Sequence, residues 1–247
     1  MSEVKPVFKC DEAFKHIFSR SQCLLTISVG QEVHEGEKFA TTLALVNESF
    51  QSCILLIDDT LQRHTMAIET DIVCGDALLA VSKEEGRHWL QRNKAVIDKL
   101  TIPCTIITWD KWLNHPHFAE TRVALEALYG NDAAFRATID ETIDEFLTRY
   151  DRRSADFHYL SDARVRKLCL DYLVEECSAM CLWPELHCHF EVYPSHRNAA
   201  MAETHRRFVL PEHDDLLRPV RVKFKNKKQL KPQIFQLLNY GELCIAS

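Results

Sequence analysis

Short apolar runs that alternate with helical patterns constrain the fold of this chain more than any other feature. The runs are CLLTIS (23–28), CILLID (53–58), CTIITW (104–109), LHCHFEVYP (186–194) and VRVKF (220–224). Helical periodicity lies between them, at 37–50, 83–100, 119–150 with a break near Gly130, and from a Ser161 cap to about Leu182. Strands that are apolar on both sides are typical of a parallel sheet covered by helices. The sequence therefore predicts an α/β fold with a mostly parallel sheet, in a single domain over 1–247.

Composition excludes several classes of protein. The chain has 247 residues, of which 46% are hydrophobic and 27% charged, as in ordinary globular proteins. No run approaches the ~18 apolar residues that a membrane span needs, and the charged start MSEVKPVFKCDEAF lacks the apolar region of a signal peptide. We expect a cytoplasmic protein with no membrane partner. Nothing indicates an obligate protein partner, and we expect a monomer.

Ten cysteines do not indicate a disulfide framework, because they are spread along the chain and often lie within apolar patterns. The spacing Cys177-x3-Cys181, followed by His187 and His189, is suggestive of zinc. It lacks the tight C-x2-C pairs of strong zinc sites, so we predict no metal and no cofactor.

The strand ends concentrate the polar residues of interest. Ligands of open parallel sheets bind beyond the carboxyl ends of the strands, which places Ser28, Asp58, Trp109 and Tyr193 near one rim. Ser28 has two interpretations. The pattern S-x-x-Q from Ser28 to Gln31 fits a helix capping box, yet the helical periodicity begins several residues later, and the hydroxyl is also a candidate nucleophile.

Four segments in order carry a family resemblance: ISVGQ (27–31), CILLIDDT (53–60), LDYLVEE (170–176) and VYP (192–194). Together they resemble the tRNA-dependent cyclodipeptide synthases, through most of the chain. The resemblance implies a Rossmann-like domain similar to the catalytic domains of class Ic aminoacyl-tRNA synthetases. The family divides at three positions into Asn-Tyr-His and any residue-Tyr-Pro branches. Gln31, Tyr193 and Pro194 place this chain in the second branch.

The resemblance implies the chemistry and its residues. Two aminoacyl-tRNAs are the substrates, and the product is a cyclic dipeptide made without ATP through an acyl group on Ser28. Tyr172 and Glu176, four residues apart on one helix face, would bind the α-ammonium, and Glu176 would take its proton. Tyr193 would assist ring closure. The alternative is a half-buried tyrosine beside a solvated glutamate.

The same resemblance and strand alternation predict the substrate pocket. Its predicted residues are Leu24, Thr26, Gln31, Leu55, Ile57, Trp109, Ala179, Glu191 and Pro194. A carboxylate at Glu191 favours a polar or basic first amino acid, with histidine as our guess. The alternatives are a solvated strand-end glutamate, or one that pairs with a protein group.

Basic residues predict where tRNA binds. By resemblance, the helix at 83–100 carries the tRNA contacts, through Arg87, Arg92, Lys94 and Lys99. The net charge of −6 does not by itself indicate a nucleic-acid-binding protein. Residues 218–231, however, hold seven basic residues and no acidic one. A solvated surface is the alternative for either segment.

Two rival functions stay open at this point. One is an aminoacyl-tRNA-dependent transferase that forms a single peptide bond without closing a ring. The other is a synthetase-like protein that binds tRNA without catalysis. An ATP-dependent synthetase is disfavoured because the sequence shows no HIGH-like or KMSKS-like signature.

Overall fold

Six strands form one sheet in the computed structural model, which describes residues 5–70, 75–151 and 161–224. The strands are β1 (Pro6–Lys9), β2 (Gln22–Ile27), β3 (Ser52–Ile57), β4 (Cys104–Thr108), β5 (Phe190–Tyr193) and β6 (Arg218–Phe224). They lie in the order β1-β6-β5-β2-β3-β4, and every neighbouring pair is parallel except β1 with β6. The predicted α/β fold with a mostly parallel sheet is confirmed.

Eight α-helices lie within the described residues. They are α1 (Gly36–Ser49), α2 (Arg63–Glu69), α3 (Gly75–Ile97), α4 (Asp110–Leu113), α5 (Phe118–Asn131), α6 (Ala133–Asp151), α7 (Asp162–Leu182) and α8 (Ala199–Thr204). Ser161 caps α7 as predicted, since its side chain accepts a hydrogen bond from the Arg164 N–H. The stretch 119–150 divides into two helices at Asp132.

The sheet separates two apolar layers because successive side chains of a strand point to opposite faces. On one face, Leu25 of β2 and Leu55 of β3 pack with Trp89 of α3. On the other, Leu24 and Leu56 pack with Ala179 of α7. Both faces are buried, which is why these strands have continuous apolar sequences.

Several elements differ from the sequence prediction. The sequence analysis missed β1, a four-residue strand in a charged segment that pairs antiparallel with β6 at the sheet edge. Helix α3 begins at Gly75, eight residues before its predicted start at 83. The run 186–194 yields a strand only from Phe190, because a helical turn ends at Leu186 and His187 adopts a left-handed conformation with φ of 52°.

No helix within the three described ranges is long and apolar enough to cross a membrane. The eight cysteines among these residues are free thiols. Residues 225–231, which hold the rest of the basic C-terminal segment, lie outside the described residues.

Candidate active site

Ser28 follows β2 directly at the carboxyl rim of the sheet. Its Oγ lies 3.5 Å from Oδ2 of Asp58, which follows β3, and 3.4 Å from the Tyr193 hydroxyl at the end of β5. The next long helix, α1, begins only at Gly36. The hydroxyl therefore contacts two side chains rather than the N–H groups of a helix end, and the capping interpretation is wrong.

A tight turn after Ser28 brings His34 back against it. Gly30 has a φ of 85°, a conformation that favours glycine, and the Gln31 N–H donates to the Ser28 carbonyl. The Ser28 N–H then donates to Nδ1 of His34 at 3.0 Å, and the two rings of His34 and Tyr193 lie 5.5 Å apart. Burial lowers the pKa of His34 to about 4, so the imidazole is neutral. Sequence reasoning missed His34, because only the turn places it there.

Helix α7 supplies Tyr172 and Glu176 on one face. The Tyr172 hydroxyl donates to Oε1 of Glu176 at 3.5 Å, and Nδ2 of Asn198, the N-cap of α8, donates to Oε2 at 3.2 Å. Glu176 is buried, which contradicts the alternative of a solvated glutamate. Burial raises the pKa of Glu176 to about 7, and the nearby Glu191 adds to this against the Asn198 hydrogen bond.

Asp58 lies at the same rim as Glu176, and neither carboxyl has a cationic partner among the residues that the structure describes. Burial, and then the charge of Glu176, raise the pKa of Asp58 well above its usual value. Within the described residues, its Oδ1 atom has no hydrogen-bond partner. Burial also raises the pKa of Tyr193 to about 12. A cation that enters this site would be stabilised electrostatically, and a substrate ammonium is such a cation.

The structure divides the predicted pocket residues between the two faces of the sheet. Leu24, Trp109 and Ala179 share one apolar cluster on the Ser28 side, and Thr26 lies between Leu24 and Ser28 on that face. Leu55 and Ile57 belong to the cluster on the opposite face. Their assignment to this pocket is wrong, because β2 and β3 pair Leu25 with Leu55 and Ile27 with Ile57.

Glu191 is 2% exposed and has a protein partner. Nε of Arg197 donates to its Oε2 at 2.5 Å, and Nη2 of Arg197 contacts the same carboxylate and the Leu217 carbonyl. The electrostatic argument for a histidine substrate required an unpaired carboxylate. Arg197 pairs with this carboxylate, which confirms the alternative that Glu191 pairs with a protein group and leaves the histidine argument without its premise. The sequence did not identify Arg197 as the partner, because the contact depends on the loop after β5.

Solved structures resemble this fold. A CDPS (cyclodipeptide synthase) from Fluoribacter dumoffii is 44% identical, with a TM-score of 0.84 over 90% of this chain and 98% of that one. The chain belongs to the cyclodipeptide synthase family. No protein-family model and no curated protein sequence matches it.

More distant cyclodipeptide synthases share the fold. One from Candidatus Glomeribacter gigasporarum, solved with Phe-tRNAPhe, is 16% identical with a TM-score of 0.67, over 88% of this chain and 92% of that one. One from Mycobacterium tuberculosis, reported to show a relation to type I tRNA synthetases, is 10% identical with a TM-score of 0.63, over 92% and 96%. The predicted enzyme class, a tRNA-dependent aminoacyltransferase, is confirmed.

A second polar cluster of this cyclodipeptide synthase surrounds Glu175, the neighbour of Glu176. Nη1 of Arg63 donates to its Oε1 at 2.7 Å, Nε1 of Trp109 donates to the same atom at 3.0 Å, and Nε2 of His64 lies 3.1 Å from Oε2. Burial favours a raised pKa for Glu175, but the His64 and Arg63 hydrogen bonds outweigh it and lower the pKa to about 2. Glu175 is thus an ionised carboxylate that fixes Trp109.

The cations predicted to contact tRNA in the synthase lie on α3 or just after it. Arg87 pairs with Glu84, Arg92 with Glu35 at 2.5 Å, and Lys94 with Asp98 at 2.7 Å. Lys99 follows the end of the helix. Helix α3 passes the rim at Gly86, where an added Cβ would lie 2.5 Å from the Cβ of Asp59. The helix is near the site, but each of these three cations has its own carboxylate.

Two further predicted residues of the synthase lie close in sequence to Ser28 and Tyr193. Gln31 is exposed at the start of the turn that carries His34, and Pro194 is buried directly after Tyr193. Among the residues that the structure describes, no group of three or more His, Cys, Asp or Glu side chains is placed to hold a metal ion.

Proposed function

We propose that this synthase transfers two aminoacyl groups from charged tRNAs to make a cyclic dipeptide through an acyl group on Ser28. One observation carries the proposal. The Ser28 hydroxyl lies at the rim beside Asp58 and Tyr193, and the same carboxyl-rich site holds Glu176, whose pKa is about 7. This arrangement supports Ser28 as the nucleophile and Glu176 as the general base.

The first step joins Ser28 to the first amino acid. The Ser28 Oγ attacks the ester carbonyl of the aminoacyl-tRNA, a new ester bond forms to Oγ, and the bond to the ribose oxygen breaks. The proton of the serine hydroxyl ends on that departing oxygen. One ester replaces another, so the step needs no ATP. Two carboxyls without cationic partners, Asp58 and Glu176, favour binding of the α-ammonium in this orientation.

Two aminolysis steps complete the cycle. Glu176 takes a proton from the α-ammonium of the acyl group, and the resulting amine attacks the ester of the second aminoacyl-tRNA. This forms the peptide bond and releases the second tRNA. Glu176 then releases its proton to solvent and takes one from the α-ammonium of the dipeptidyl group. The amine attacks the Ser28 ester, the new C–N bond closes the ring, the bond to Oγ breaks, and the proton that the nitrogen loses restores the serine hydroxyl. Tyr193, 3.4 Å from Oγ, is placed to return the proton.

We assign the chain to the branch with the residue-Tyr-Pro signature. Pro194 is buried behind Tyr193, and its ring restricts Tyr193 to an extended backbone. This restriction supports a role in aiming the Tyr193 hydroxyl at Ser28. Gln31, the first position of the signature, is exposed in the turn after Ser28.

We infer that the first amino acid has an apolar side chain, in place of the histidine that Glu191 suggested. Leu24, Trp109 and Ala179 are apolar, and Arg197 already neutralises Glu191. The matched test replaces the pair together, as Glu191→Leu with Arg197→Leu, so that no buried charge is left unpaired. Cyclic dipeptides from the wild type that contain mainly Leu or Phe would support the inference. Cyclic dipeptides from the wild type that contain mainly His would overturn it.

The rival of a non-catalytic tRNA-binding protein is disfavoured by the same site. Buried carboxyls with raised pKa values reduce stability at neutral pH, and such groups concentrate where chemistry occurs. The rival transferase without ring closure differs only in its product, which would be a linear dipeptide heavier by one water.

Mass spectrometry of the medium of a bacterial host that expresses the chain tests the function. We expect cyclic dipeptides from the wild type and none from Ser28→Ala. Purified wild-type protein should also acquire a radiolabel from aminoacyl-tRNA that survives denaturation, and Ser28→Ala should not. Full activity of a folded Ser28→Ala variant would remove Ser28 as the nucleophile, and linear dipeptides alone would favour the rival transferase.

A further inference from the structure

The two hydrogen-bond partners that the described structure gives to the Ser28 hydroxyl differ in chemistry. One is Oδ2 of Asp58 at 3.5 Å, a carboxyl oxygen that accepts the proton of Oγ. The other is the Tyr193 hydroxyl at 3.4 Å. Burial raises the pKa of Tyr193 to about 12, so the phenol keeps its own proton at neutral pH. Asp58 is therefore the partner that can take a proton from the serine.

The other polar side chains near Ser28 bind different atoms. Nδ1 of His34 accepts the Ser28 N–H at 3.0 Å, and burial lowers the pKa of His34 to about 4, which makes the imidazole a weak base. Glu176 interacts with Tyr172 through Oε1 and with Asn198 through Oε2. Within the described ranges, neither His34 nor Glu176 forms a hydrogen bond with Oγ.

Asp58 is 5% exposed and has one oxygen left for a substrate. Its Oδ2 lies beside Ser28, whereas its buried Oδ1 has no hydrogen-bond partner among the described residues. Burial, and then the charge of Glu176, raise the pKa of Asp58 well above its usual value. A carboxylate of raised pKa is a stronger base. The positive charge of a bound α-ammonium favours the ionised form of the carboxyl, so substrate binding would produce the base.

We propose that Asp58 is the general base of the first step, in which its Oδ2 takes the proton of Ser28 as Oγ attacks the first aminoacyl ester. The inference rests on the proposed function, because it takes this acyl transfer as the reaction. As the bond from Oγ to the carbonyl carbon forms, the serine proton moves to Oδ2. As the bond from that carbon to the ribose oxygen breaks, Asp58 gives the proton to the departing oxygen and is again a carboxylate.

The distance of 3.5 Å between Oγ and Oδ2 is consistent with this role. Hydrogen bonds between catalytic groups are often long in the free enzyme and shorten only when the substrate is bound. The proposal divides the proton transfers between two carboxyls. Asp58 acts on the serine during acylation, and Glu176 acts on the α-ammonium during aminolysis.

The rate of acylation tests the proposal directly. Protein in saturating excess is mixed with radiolabelled aminoacyl-tRNA, so that no second substrate is left to remove the acyl group, and the label bound to denatured protein is followed in time. Asp58→Asn keeps the shape of the side chain and removes the base. Acylation of this variant should be slower by about 10²–10⁴-fold.

Asp59→Asn is the matched control. Asp59 is the next residue and is equally buried, but its Oδ1 accepts the N–H of Trp109 and not the serine hydroxyl. An amide oxygen can still accept that hydrogen bond, so acylation by this variant should stay within about threefold of the wild type. Circular dichroism melts establish that the variants are folded. We expect Asp58→Asn to fold, because Asp58 has no cationic partner that its replacement would leave unpaired.

A second measurement separates Asp58 from Glu176. Acyl-enzyme that has accumulated during a long incubation is mixed with a second aminoacyl-tRNA, and the transfer rate is measured. Asp58→Asn should lose much less at this step than at acylation, because the base of aminolysis is still present. Glu176→Gln should show the reverse pattern, with the larger loss at transfer.

Chemical rescue adds a test that does not depend on Asp58→Asn. Formate supplies a carboxylate that is small enough for the space left by Asp58→Ala. It should raise the acylation rate of this variant by about tenfold or more, and it should leave the rate of Asp59→Ala unchanged.

Three results would overturn the role of Asp58. They are acylation by folded Asp58→Asn at a rate close to that of Asp59→Asn, equal losses of Asp58→Asn in acylation and transfer, and no rescue of Asp58→Ala by formate. A wild-type protein that acquires no label from aminoacyl-tRNA would instead overturn the proposed function. The two failures are distinct, because the comparison of variants requires a wild type that is acylated.

Discussion

Glu175 and Glu176 are neighbours on α7, and their surroundings shift their pKa values in opposite directions. Arg63, His64 and Trp109 surround Glu175, whose pKa falls to about 2. Glu176 has a phenol and an amide as partners, and burial raises its pKa to about 7. Both side chains are buried. The difference therefore comes from the partners, a cation for one glutamate and neutral donors for the other.

Helix geometry makes this contrast possible. Successive residues of an α-helix project about 100° apart, so Glu175 points toward α2 and α5 while Glu176 points toward the rim of the sheet. One glutamate is an ionised structural anchor for Trp109. The other, Glu176, has a pKa of about 7 and can therefore take a proton at neutral pH. Carboxyls with pKa values pushed apart in this way are a general mark of acid–base sites.

The largest expected effect of changing either glutamate is on the rate of transfer from the acyl-enzyme. Glu176→Gln keeps the shape and removes the base, so transfer from the acyl-enzyme to the second aminoacyl-tRNA should slow by about 10²–10⁴-fold. The affinity for aminoacyl-tRNA should fall by much less than the rate, because Glu176 is only one of two carboxyls near the α-ammonium, whereas its role as base acts on the transfer step itself. Single-turnover kinetics with preformed acyl-enzyme measures this. A transfer rate close to that of the wild type would exclude Glu176 as the base.

Replacement of Glu175, which holds Trp109, should lower the stability of the fold instead. Glu175→Gln leaves Arg63 without its buried carboxylate and should lower the free energy of unfolding by about 3 kcal/mol. The folded pKa of Glu175 lies below its ordinary 4.5, so the wild-type contribution is present above pH 4.5 and is lost as pH falls toward 2. Urea titrations at pH 7 and pH 4 measure both effects. Glu185→Gln, at an exposed pair with His115, is the matched control and should cost less than about 0.5 kcal/mol. Equal losses in the two variants would contradict the anchoring role.

Glu176→Gln should have the opposite effect on stability. The folded pKa of Glu176 lies above 4.5, so its stabilising contribution is present below pH 4.5 and is lost as pH rises toward 7. The neutral glutamine avoids that loss. The stability of the variant relative to the wild type should therefore grow by up to roughly 3 kcal/mol between pH 4.5 and pH 8. A difference that does not depend on pH would mean that Glu176 is not perturbed.

The sequence predicted those parts of the molecule that depend on local pattern. The apolar runs at 23–28 and 53–58 gave two central strands, and the rule for strand ends brought Ser28, Asp58 and Tyr193 to one rim. Spacing of four residues placed Tyr172 beside Glu176. Each of these inferences needs only the geometry of a single element or of a parallel sheet.

The errors concern contacts between elements that are distant in sequence. Arg63 and Glu175 are 112 residues apart, and nothing in either segment identifies the other as its partner. Leu55 was assigned to the wrong face, because a shift of one residue in the register of β3 against β2 exchanges the two faces. The alternative that Glu191 pairs with a protein group is confirmed, but the sequence did not identify Arg197 as that partner.

Carbon-13 NMR of the glutamate side-chain carboxyls tests the central claim most directly, because it follows the protonation of each group. We predict that one carboxyl has a titration midpoint near pH 7 and that this titration disappears in Glu176→Gln. The Glu175 resonance, identified by its loss in Glu175→Gln, should not move between pH 4 and pH 9. The account would be contradicted if no carboxyl titrated between about pH 6 and pH 8, or if the one that does persisted in Glu176→Gln.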